Sequence, residues 1–204
     1  MGYGTDGTDA GGEFNYATEL VEMVRDHPGD FAIGVAAHPE LHPRSEGDRE
    51  ADRRWLAAKL ALADFAITQF FFEARHYFDL VESMRALGVD RPVIPGIMPV
   101  QSISAIRRMT EMQGSEFPAW FDARLRDVED DPDAVRKIGI GEATNLCRAL
   151  LDGGADQQAA AVGPFLFERQ RCGLDLLQRT EVAGAERALL LGDVPLRLRL
   201  QRML

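Results

Sequence analysis

Two histidines four residues apart in AHPELHP, His38 and His42, have side chains suited to chemistry, as do the acids Glu40 and Glu73 and the amide Gln69 inside the apolar run AITQFFF. Imidazoles at that spacing suit a divalent metal when a helix stacks them on one face. Pro39 and Pro43 exclude a regular helix here, and no third ligand completes the set, so no metal site is expected. An amide presents a donor and an acceptor together and therefore matches a ligand edge carrying both. Buried amides also commonly bond a nearby backbone group, and both roles stay open for Gln69. Asp52 and Lys59, seven apart, share one face of a helix, where a solvent-facing pair is the ordinary reading. Phe70, Phe71 and Phe72 are read as core packing before a ring-stacking platform, because alternate strand residues point both ways.

Short apolar runs alternate with helical patterns around these residues. YATELVEMVRDH spaces Leu20, Met23 and Val24 as one helical stripe, and FAIGVAA, Phe31 to Ala37, reads as a strand buried on both faces. DREADRRWLAAKLALA sets Trp55, Leu56, Lys59, Leu60 and Ala63 on or beside one helical face. After the Gln69 strand, EARHYFDLVESMRALG turns Tyr77, Val81, Met84 and Leu87 inward and stops at Gly88. RPVIPGIMPV is a further strand, followed by a helix capped by Ser102 and carrying Ile103, Ile106 and Met109. Asp131-Pro132 opens a last helix with Val135, Ile138, Leu146 and Leu150 inward, weakened by Gly139 and Gly141. The order α, β, α, β, α, β, α, α implies parallel strands with helical crossovers, an α/β class. No GxGxxG or GxxxxGK[ST] marks an open phosphate-binding sheet. The polar residues fall at or just past strand C-termini, where a (β/α)8 TIM barrel places its active site.

Composition narrows the partners. With 204 residues the chain is long enough for a buried core, and a net charge of −10 gives no basic footprint for nucleic acid or an anionic membrane. No run is long and apolar enough to span a bilayer, and MGYGTDGTDAGGEF has neither a basic start nor an apolar signal core, so a cytoplasmic protein is expected. Cys147 and Cys172 read as ordinary thiols.

FAIGVAAHPELHPRS, DFAITQFFFEARHYFDLVESMRALGVDRPVIPGIMPV and FPAWFDARL together resemble the methylenetetrahydrofolate reductase family, over residues 16–156. The resemblance implies a flavin-dependent barrel that reduces 5,10-methylenetetrahydrofolate to 5-methyltetrahydrofolate, with FAD as cofactor and NAD(P)H as reductant, in one-carbon metabolism and methionine biosynthesis. It implies that Gln69 orients the pterin of the folate and that Tyr16, Ala17, His38 and His42 contact FAD. Asp52 and Lys59 fall on positions that hold its ribose and phosphate portion. Some relatives carry Asn where this chain has Trp55, and many have Tyr or Phe at His38.

The same resemblance places the family's general acid in β/α units preceding this stretch, so no catalytic residue is expected in it. Residues 1–156 are expected to form a partial barrel domain and residues 157–204 a divergent tail, whose ERALLLGDVPLRLRLQRML reads as a strand-like or amphipathic segment interrupted by Pro195. About three to four parallel strands cannot close a barrel, and their open edges and apolar face favour a homo-oligomer. The expectation is thus a truncated flavoprotein oxidoreductase. The alternatives are an inactive remnant that folds through self-association and, from another class, an unrelated metal- or phosphate-binding α/β domain.

Overall fold

A computed structural model describes residues 14–158 apart from 15, 30 and 156. The Gly-rich opening stretch before them, Cys172 and the segment starting at Glu186 lie outside the described residues. The elements are α1 (Ala17–Asp26), β1 (Gly34–Ala37), a 3₁₀ turn (Pro43–Ser45), α2 (Arg49–Leu62), β2 (Phe65–Phe70), α3 (Ala74–Ala86), β3 (Val93–Gly96), α4 (Ile103–Gln113), α5 (Ala119–Arg126) and α6 (Pro132–Asp152). The strands are parallel in the order β1-β2-β3, the α/β partial barrel expected from the alternating pattern.

Register explains how the sheet divides its faces. Val35, Ala66 and Val93 lie side by side across the three strands and are all buried, beneath Leu56 and Leu60 of α2 and Leu80 and Met84 of α3. The next row, Ala36, Ile67 and Ile94, points the other way, and Ile67 is 47% exposed. Side chains two apart share a face. One face is therefore packed under helices and the other, the inner face of the incomplete barrel, is not. This corrects the expectation that the first strand is buried on both faces. That strand is also shorter than Phe31–Ala37: Phe31 is exposed, and Ile33 ties to Asp64 before the ladder begins.

Other stripes shift for similar reasons. α1 packs on α2, and it buries Val21 with Val24 partly covered, leaving Leu20 and Met23 exposed. In α4 the buried positions are Ile106 and Thr110, while Met109 is exposed. α5 was not foreseen. Its short stripe, Phe121 and Leu125, joins Val100, Ile106 and Val135 in a second apolar cluster, on which Phe70 and Phe72 pack. Phe71 instead stacks on buried Tyr77, so the aromatic triple serves both clusters as packing. Tyr77 satisfies its hydroxyl by donating to the Val93 carbonyl at 2.8 Å, and burial pushes its pKa to about 12.

Helix ends follow the expected chemistry. Ser102 accepts from the Ala105 amide at 3.4 Å, and Asp131 accepts from the amides of Asp133 and Ala134 at 3.0 and 3.1 Å. α6 runs unbroken through both glycines. A Cβ at Gly139 would stand 1.9 Å from the Val100 carbonyl oxygen, so this glycine lets α6 lie against the backbone leaving β3. Between Ile67 and Phe70 the β2–β3 register slips by one, with Thr68 Oγ1 accepting from the Gly96 amide at 2.8 Å. The irregularity falls at Gln69, and bulges of this kind re-aim side chains beside sites.

Candidate functional site

The stretch from His38 to His42 leaves β1 without joining a helix or a strand, so its backbone groups need other partners. The Arg53 guanidinium donates to the carbonyls of His38 (3.1 Å), Pro39 (2.7 Å) and Glu40 (3.0 Å). Asp52 accepts from the His42 amide at 3.0 Å through one oxygen and pairs with Arg53 at 3.0 Å through the other. Beyond it, Ser45 donates its hydroxyl to the His42 carbonyl at 2.6 Å, and the Arg44 amide donates to His42 Nδ1 at 3.1 Å. A ring nitrogen that accepts carries no proton, so neutral His42 holds its proton on Nε2. The loop brings the two imidazoles into edge-to-face contact, centroids 4.6 Å apart. No helix forms across the prolines, and the tied loop brings the two rings together in its place.

A cavity of about 490 Å³ opens at this point. Tyr16, Ala17 and Thr18 line it from the start of α1, and Ala36, His38, His42, Arg44 and Ser45 from β1 and the following loop. Asp52, Trp55, Leu56, Ala58 and Lys59 line it from α2. Positions 52, 55, 56 and 59 recur at helical intervals, so one face of α2 forms a wall. Lys59 Nζ donates to the Ala36 carbonyl at 2.6 Å and is half-buried. Burial lowers its pKa, with the Asp52 carboxylate pulling the other way. Burial, then His42 and Lys59, lower the His38 pKa to about 4, so its ring is neutral at pH 7. Burial also lowers His42, opposed by Asp52. The wall thus sets two neutral imidazoles, two exposed aromatics, the Lys59 ammonium and Arg44 beside the Asp52 carboxylate, next to the N-terminus of α1. That donor set fits an anionic group attached to a flat ring system.

Other polar residues flagged in the sequence serve elsewhere. Glu40 accepts from the Glu116 amide at 2.6 Å, and burial raises its pKa against the pull of that amide. Glu73 pairs with Arg75 and lies 3.5 Å from His76 Nε2. Gln69 is not part of the cavity wall. It lies one residue past the last β1–β2 pair, Ala37 with Thr68, as His38 does on the neighbouring strand. Half-buried, its amide makes no hydrogen bond to another described residue.

Over residues 3–158 the chain matches the methylenetetrahydrofolate reductase family. The chain belongs to that family. It is 38% identical to methylenetetrahydrofolate reductase 2 of Saccharomyces cerevisiae over 182 residues, covering 88% of this chain and 30% of the relative. Identity to the probable methylenetetrahydrofolate reductase (NADPH) of Caenorhabditis elegans is 37%, covering 68% of this chain and 21% of the relative. For the 5,10-methylenetetrahydrofolate reductase of Pectobacterium carotovorum subsp. carotovorum it is 33%, covering 66% and 45%. The chain spans less than half the length of each of these relatives. All the residues that the reductase resemblance linked to a flavin, Tyr16, Ala17, His38, His42, Asp52 and Lys59, line the one cavity, although they come from separate segments. Sequence reasoning missed Thr18 and Arg53. Arg53 left a trace, a cation on the apolar stripe it shares with Leu56, Ala57 and Leu60.

Proposed function

We propose that this chain carries the flavin cradle of a methylenetetrahydrofolate reductase, which reduces 5,10-methylenetetrahydrofolate to 5-methyltetrahydrofolate with NAD(P)H in the one-carbon metabolism that serves methionine synthesis. The convergence of those six residues on one cavity of about 490 Å³ carries the reading. FAD would supply the hydride relay between nicotinamide and folate. Lys59 and the amides at the start of α1 would hold its phosphates, and Tyr16 and the neutral imidazoles would face its rings. Asp52, its oxygens engaged by His42 and Arg53, keeps further lone pairs for a ribose hydroxyl. Gln69, two residues past Ile67 where the β2–β3 register slips, would orient the pterin by offering donor and acceptor together. The reaction's general acid would come from outside the described residues, and the cytoplasm is the compartment that this substrate and the acidic chain suit.

The test is a titration of the full chain with FAD, followed by quenching of Trp55 and Trp120 emission and by the flavin spectrum. Saturable binding is expected, and Gln69→Glu should leave it within about twofold while weakening a folate ligand about tenfold or more, the loss for a mispaired buried donor. No saturable flavin binding, or equal loss of both ligands in the variant, would refute the assignment. A second reading, a non-catalytic remnant that folds by self-association, draws support from Ile67 on the uncovered sheet face.

A further inference from the structure

Arg53 is not part of the cavity wall and takes no part in the chemistry proposed above. It is 4% exposed, on a stripe of α2 that otherwise packs apolar side chains under the sheet. Burying a guanidinium there is costly unless its hydrogens are matched by acceptors. Its terminal nitrogens find three consecutive carbonyls, those of His38, Pro39 and Glu40, together with Asp52. Nε is buried without a partner. Asp52 then reaches past Arg53 to the amide of His42. Both ends of the loop are therefore fastened to adjacent residues of one helix, and that helix also presents Trp55 and Lys59 to the cavity.

We infer that Arg53 is the positioning residue of this site: through three loop carbonyls and Asp52 it sets the loop that holds His38 and His42 in ring contact at the cavity wall. A lysine cannot replace it fully, since a single ammonium lacks the planar fork that reaches several carbonyls at once. The outer partner, Asp79 of α3, lies 3.6 Å from the guanidinium and also pairs with Arg49, so it braces the cation without touching the loop. The value of the device for catalysis rests on the flavin reading, whereas the loop anchoring does not.

The full-length chain labelled with ¹⁵N-histidine gives the decisive measurement. The groups facing His38 are His42 from the loop and Lys59 from α2, with Asp52 and Arg44 beside His42. Wild type should show a contact between the two imidazoles and His38 titrating near 4. Arg53→Met should lose that contact, return His38 towards its ordinary value, and weaken FAD about tenfold or more. Arg53→Lys should restore part of each, and Asp79→Asn should match wild type. A folded R53M chain that keeps the ring contact and the low His38 titration overturns the inference. If R53M does not fold, R53K decides in the same way, unchanged imidazoles again being the overturning result. Should wild type bind no FAD, the flavin reading falls while the imidazole readout still tests Arg53.

Discussion

His38 stands at the cavity wall beside His42, and its burial has a pH consequence. Its folded pKa, about 4, lies below the unfolded value of 6.5, so the unfolded chain binds more protons between those limits. The stabilisation from keeping it neutral is complete above pH 6.5, declines as pH falls towards 4, and is gone below that. His38→Phe removes the titration and keeps the ring, so the difference in urea unfolding free energy between wild type and variant should be flat above pH 6.5 and move against wild type below it. A difference constant from pH 4 to 8 would rule this out. Lys59 offers a separate test. On the proposed role, Lys59→Met should weaken FAD by about tenfold or more yet leave riboflavin, which has no phosphate, nearly unchanged, because the bond lost would be a charge-assisted hydrogen bond to phosphate. Equal effects on both ligands in calorimetric titrations would remove Lys59 from the phosphate role.

At the scale of elements, the two glycines of α6 should behave oppositely although both lie inside one helix. Gly139→Ala drives a methyl into the Val100 carbonyl and should cost about 2–4 kcal/mol, as overpacking against backbone does. Nothing lies within 4 Å of a Cβ at Gly141, so Gly141→Ala should stabilise by up to about 1 kcal/mol through helix propensity. Equilibrium urea unfolding of both variants checks the pair, and like-signed effects would contradict the packing account. Propensity alone marked both residues as weak points, and only the approach to β3 separates them. The same limit runs through the rest of the fold. Strand positions, capping residues and the strand-end placement of the polar residues were legible because they are set by short-range pattern. The depth of α1 burial, the extent of β1 and the existence of α5 depend on which neighbour each element meets. At the site, family resemblance named Tyr16, Ala17, His38, His42, Asp52 and Lys59, which share one cavity, and it did not name Thr18, Arg44 or Ser45 beside them. The role of Arg53 was not legible: a cation on an apolar stripe hints at burial, but the loop carbonyls that it holds leave no signature in the sequence.

Among the described residues the governing fact at the largest scale is a three-stranded sheet with helices on one face. A closed barrel would turn the row Ala36, Ile67 and Ile94 into its filled interior, but three strands cannot satisfy the tilt and shear that closure needs. Among the described residues the outer edges of β1 and β3 pair with no further strand. Exposed apolar rows and open edges are both covered by association. The chain should therefore sediment above its monomer mass of 22.6 kDa, and Ile67→Glu should shift it towards monomer by placing a charge in the middle of the row. Glutamate suits a strand poorly, so the variant monomer should lose up to about 1 kcal/mol of stability. Sedimentation velocity across a concentration series separates the outcomes: a wild-type monomer at all concentrations would mean that the row is covered from within the chain. An oligomer indifferent to Ile67→Glu would instead move the contact to the strand edges. The first result bears on the cradle too, because Gln69 follows Ile67 by two residues at the end of β2, and what covers Ile67 would also bound the space proposed for a pterin.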